Sequence, residues 1–149
     1  MSRAKRARLI CRLAAAMMIV LVVAGCTDRG PTFIDHQASY TKTTALDLLT
    51  RSDASRFAQR PTSDANMLRH AALTALRRHG SSASNAADLI TRTFPQAAHG
   101  VPVYVELGSF DGTPATLLIE ATGPAAGTLG TKRLWILGED GRVLLVATR

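Results

Sequence analysis

Hydrophobic positions along this chain follow three different rhythms. From Leu13 to Gly25 they run without interruption. At thirteen residues that run is short of the roughly 20 that span a bilayer as a helix. Residues 26–40 then mix Gly, Pro and polar side chains with no period, and read as a tether. From Thr44 the spacing becomes helical. Ala45, Leu46, Leu48 and Leu49 predict a helix from Thr44 to about Arg51, resuming through Phe57 before Pro61 stops it. The strongest helix runs from Asp64 to His79, with Ser63 as its cap. Met67, Ala71 and Ala75 repeat there beside Leu68, Ala72 and Leu76, and Gly80 ends it. A shorter helix is expected from Asn85 to Thr93, capped by Ser84 and stopped before Pro95.

Beyond residue 100 the period falls to two. Val101–Leu107 and Ala115–Ala121 flank a loop holding Asp111-Gly112, while Lys132–Gly138 and Arg142–Thr148 flank Glu139-Asp140-Gly141. Asp-Gly between alternating apolar runs signals a hairpin. The expected fold class is therefore α+β, with two or three N-terminal helices packed on a C-terminal four-stranded antiparallel meander, in a domain spanning residues 41–149.

The turns fix an expected register. Centring the second hairpin on Asp140-Gly141 opposes Trp135 to Val146 and Leu137 to Leu144. Centring the first on Asp111 opposes Val105 to Leu117 and Val103 to Ile119, and places Tyr104 against Leu118. One sheet face is then a core surface. The other gathers Tyr104, Leu118, Trp135, Leu137, Leu144 and Val146, rimmed by Glu106, Glu120, Arg133 and Arg142. Such a face is either a docking surface for a partner or an apolar ligand, or a second core under one of the helices. Burial statistics favour the second core.

Charge changes the picture at the amino terminus. The chain carries 18 basic and 11 acidic residues, a formal +7, which would ordinarily point to nucleic acid or an anionic membrane. Five of those bases (Arg3, Lys5, Arg6, Arg8 and Arg12) stand in the first twelve residues, where there is no acid. A basic start, a short apolar middle and a small-residue exit make a secretory signal. Val23-Ala24-Gly25-Cys26 resembles the lipobox of bacterial lipoproteins. That resemblance implies residues 1–25 as signal peptide, cleavage after Gly25, diacylglycerol on the Cys26 sulfur, and residence on the extracytoplasmic side of the cell membrane. Acyl chains anchor at roughly 0.8 kcal/mol per buried methylene.

The leader reassigns both cysteines. Cys11 leaves with the signal and Cys26 is capped by lipid, so no thiol remains for a disulfide or a metal site. Removing five bases leaves 13 against 11 acids, a near-balanced domain without a motive for binding nucleic acid.

Candidate chemistry is sparse. Ser39-Tyr-Thr-Lys42 matches the S-x-x-K pattern of penicillin-recognising enzymes, but S-D-N and K-T-G are absent. Gly108-Ser-Phe-Asp-Gly112 places its serine wrongly for a nucleophile elbow. Glu106 and Glu120, roughly 13 Å apart in the expected register, read as solvated rim charges. His36, His70, His79 and His99 lack metal-ligand spacing, so no metal and no cofactor are expected. Arg69, Arg77 and Arg78 read as the solvated face of their helix. Residues 85–145, with Asp140-Gly-Arg-Val-Leu144 near their end, are similar to PepSY-type domains, though Glu139-Asp140-Gly141 stands where that family has a threonine-glycine turn. The expectation is a membrane-anchored binding or accessory module of the cell envelope with an envelope protein as partner. A small envelope hydrolase and a PepSY-like inhibitory domain are the alternatives.

Overall fold

The computed structural model describes residues 30–94 and 100–149. Chain order is β1 (Thr32–Tyr40), α1 (Lys42–Arg51), two short 3-10 turns, α2 (Ala65–Arg77), α3 (Ser81–Thr93), β2 (Gly100–Phe110), β3 (Thr113–Thr122), β4 (Thr131–Gly138) and β5 (Val143–Thr148). The class is α+β, but the sheet is not a four-stranded antiparallel meander. It has five strands in the order β1-β2-β3-β4-β5. The added strand, β1, lies in the segment read as tether and runs parallel to β2.

β1 escapes a period-two reading because its rhythm is broken. Asp35 pairs with Leu107 and Ala38 with Gly108, so His36 and Gln37 bulge out of the ladder. Gln37 has φ +55°, an uncommon conformation for a residue with a side chain. Bulges re-aim side chains, and this one turns His36 towards β2.

The hairpins form where the Asp-Gly pairs stand. Asp111 and Gly112 both have positive φ, +48° and +80°, the turn whose twist matches the flanking strands. Phe110 then pairs with Thr113, one residue away from the expected register. A second irregularity, between Pro102 and Tyr104, returns Pro102 to its expected partner Glu120. It lies beside a proline, which has no N–H to give to a ladder. Between the two, Val105 pairs with Leu118, Tyr104 with Ile119 and Glu106 with Leu117. A one-residue slip exchanges faces. Tyr104 and Glu106 therefore join Leu117 and Ile119 on one side, and Val105 joins Leu118 on the other. In the second hairpin Trp135 pairs with Val146 as expected, while Leu137 pairs with Val143 after a further shift.

Helices cover both faces, not one. α1 contributes Ala45, Leu48 and Leu49 to a core with Val101, Val103, Leu117, Ile119, Leu134 and Ile136. α3 contributes Ala83, Ala86, Ala87, Leu89 and Ile90 to a second core with Val105, Leu118 and Leu137. α2 serves both, placing Leu68 and Ala72 in the first and Leu73 and Leu76 in the second. Its buried stripe is Ala65, Leu68, Arg69, Ala72, Leu73 and Leu76. Met67, expected in that stripe, is exposed, and Arg69, expected in solvent, is buried.

Candidate functional site

The six residues expected to form one docking face are divided. Leu118 and Leu137 are fully buried beneath α3. Trp135 is partly covered, its ring 4.7 Å from that of Phe94. Tyr104 lies on the opposite face after the register slip. Leu144 and Val146, on the edge strand β5, stay exposed. The helix-covered second core occupies most of that face. Cys26, Gly25 and His99 lie outside the described residues.

The two glutamates expected on a solvated rim are both buried, Glu106 at 0% and Glu120 at 2% exposure. Withdrawing a carboxylate from water is costly unless partners replace the water. Glu120 has them. Arg69 donates from Nη1 to its Oε1 at 2.5 Å, and Trp135 donates from Nε1 to its Oε2 at 2.9 Å. The same Arg69 nitrogen reaches the Gly100 carbonyl at 3.2 Å. A Cβ at Gly100 would stand 2.5 Å from Glu120 Oε2, so a larger residue there would have to displace the carboxylate from Arg69 and Trp135. Arginine, carboxylate and indole thus pin α2 and β4 to the middle of the sheet.

Glu106 is held differently. The hydroxyls of Tyr40 and Tyr104 both donate to Oε2, Tyr40 at 2.8 Å. Oε1 accepts no hydrogen bond, and the bulge brings His36 Nδ1 to 3.5 Å from it. His36 is itself largely exposed. Among the described residues, His36 is the ion-pair contact of Glu106, whereas Glu120 has a guanidinium. The centre joins three stretches: the bulge of β1, the last residue of β1 and the middle of β2. Sequence spacing conceals it, because Tyr40 and Glu106 stand 66 positions apart.

The environment of Glu106 acts on its tyrosines. Burial, then the hydrogen bond to Glu106, then its negative charge push the Tyr40 hydroxyl up to about 12, against a smaller opposing pull from Arg51. The same causes raise Tyr104, again led by burial. The phenols are thus kept protonated in the folded state. The chain has two tyrosines, so an ultraviolet phenolate titration reads this centre alone. In chelator-treated protein we expect no phenolate signal near pH 10, where free tyrosine ionises. Because the folded values are raised, the associated stability is intact below about pH 10 and is lost as pH climbs through 12. Phenolate should appear together with loss of the folded circular dichroism signal. Half-ionisation near pH 10 in folded protein would contradict the described contacts.

Beside these centres, α3 and the β2–β3 hairpin frame two adjoining hollows of about 500 and 390 Å³. Leu107, Thr116 and Glu139 line both. Asn85, Asp88 and Arg92 of α3 line the first, and Gln37 and Ser109 the second. Compared with protein-family models, curated proteins and solved structures, the chain matches none. The lipobox and PepSY likenesses therefore rest on the residues quoted for them.

Proposed function

We propose that this chain is an exported lipoprotein, cleaved after Gly25 and anchored through Cys26, whose domain is a non-enzymatic binding or accessory module of the cell envelope. The observation that carries the reading is the leader: five bases, an apolar run and Val23-Ala24-Gly25-Cys26 in succession. The fold adds a geometric corollary. Five residues separate Cys26 from Thr32, where β1 begins. Six extended steps reach about 20 Å, so the domain would sit close against the membrane surface and not on a long stalk.

The paired hollows supply a binding surface suited to such a module. Their walls offer amide, carboxylate, guanidinium and hydroxyl groups around the Leu107 side chain, a lining that fits a polar chain such as an extended peptide segment of an envelope protein. Metabolic labelling with a palmitate analogue tests the anchor. The wild-type chain is expected to be labelled and to fractionate with membranes, and Cys26→Ala to lose both properties. Equal labelling of the two would overturn the reading.

A further inference from the structure

Glu106 is the buried charge that the fold leaves least compensated. Buried carboxylates in proteins are paired with cations or coordinate metals. Glu120 follows the first course through Arg69. Around Glu106 stand instead two phenol oxygens and one imidazole nitrogen, all capable of binding a metal ion. We propose that His36, Tyr40, Glu106 and Tyr104 form a binding site for a hard trivalent cation, with ferric iron as the fitting ion.

The geometry supports a shared ion. Bonds of about 2.1 Å in an octahedral site place neighbouring donors about 3 Å apart. Tyr40 Oη lies 2.8 Å from Glu106 Oε2, and His36 Nδ1 lies 3.5 Å from Glu106 Oε1. These separations are close to the edges of one coordination polyhedron. Oε1, buried and without a hydrogen bond, is a free ligand position aimed at the imidazole. The exposed His36 marks the way in.

Donor chemistry selects the ion. Three oxygens and one imidazole, with no thiolate, disfavour soft metals. Magnesium and calcium bind carboxylate and carbonyl oxygens and retain water, and they are weak acids towards phenols. A trivalent ion displaces the phenol protons. Charge then balances: Fe³⁺ meets one carboxylate and two phenolates, two protons leave to solvent, and His36 contributes a neutral lone pair. No redox step is involved.

The test uses the full chain purified in detergent and titrated with ferric nitrilotriacetate. One equivalent is expected to produce the visible tyrosinate-to-iron charge-transfer band, with two protons released per ion. Tyr40→Phe and Tyr104→Phe should each weaken that band with circular dichroism retained, and the double variant should lose it. His36→Ala removes an exposed side chain, so folding should persist while iron affinity falls at least tenfold. The proposal is overturned by absence of the band, by a band unchanged in Tyr104→Phe, or by unchanged affinity in His36→Ala. Zinc or manganese binding without a ferric band also overturns the ferric assignment. Cys26→Ala should bind iron as the wild type does, so this outcome and that of the labelling experiment are independent.

Discussion

Arg69→Ala is expected to destabilise the domain by about 3–5 kcal/mol, because removing one partner of a buried pair strands the other's charge. Glu120 would keep the Trp135 hydrogen bond but lose the guanidinium 2.5 Å from its other oxygen. The Gly100 carbonyl would lose a donor as well. Urea denaturation of the variant and the wild type measures the loss. Arg69→Lys should recover a part of it, since an ammonium restores the charge but on a shorter side chain and without the planar guanidinium fork. Replacing Arg69 and Glu120 together by methionine should cost less than Arg69→Ala, because no charge is then left buried. A loss below about 1 kcal/mol for Arg69→Ala, the scale of an exposed pair, would refute the buried ion pair.

Trp135→Ala is the second large expectation, at about 3 kcal/mol. The indole packs with Phe94, donates to Glu120 and lies beneath the Arg133 guanidinium, 5.6 Å from the ring centre. Deleting it opens a cavity beside Leu118 and Leu137 and removes one of the Glu120 donors. In a domain of this size that corresponds to a fall in melting temperature of roughly 10 °C or more. An indifferent Trp135→Ala variant would mean that this side of the sheet is open, as the docking-face reading supposed. Trp135→Phe should fall between the two, retaining most of the packing while losing the N–H.

Much of the fold was legible in local pattern. Asp111-Gly112 and Asp140-Gly141 mark both hairpins, and apolar spacing marks three helices, though α3 begins at Ser81 and not at Asn85, which puts the expected Ser84 cap inside the helix. What escaped depends on distant residues or on irregularities of the ladder. β1 was hidden because the bulge at His36-Gln37 interrupts its alternation. The face assignments of Tyr104 and Glu106 were lost to a single-residue slip, which the two-residue turn at Asp111-Gly112 introduces and the bulge beside Pro102 removes within one strand.

The candidate centre was less legible than the fold. A glutamate at a polar position of a strand reads as solvated, and the groups that make its burial tolerable arrive from elsewhere. Arg69 stands 51 positions before Glu120. One signal was present. Arg69 falls one turn after Ala65 and one turn before Leu73, inside the helix's buried stripe, and an arginine there implies a buried acid. No comparable signal marks Glu106, since Tyr40 and His36 belong to a segment with no apparent period.

The parallel strand also sets an order of assembly. Thr32 meets Tyr104, about seventy residues further along, whereas the other strand pairs are joined by short turns or loops; such separations delay closure. Among the described strands β1 comes first in the chain, and its distant partner makes it expected to pair after the local hairpins. His36 and Tyr40 belong to it, so the Glu106 centre is expected to be completed after the hairpins of the sheet. Occupation of that centre would therefore report a finished chain, distinguishing mature protein from one still in transit.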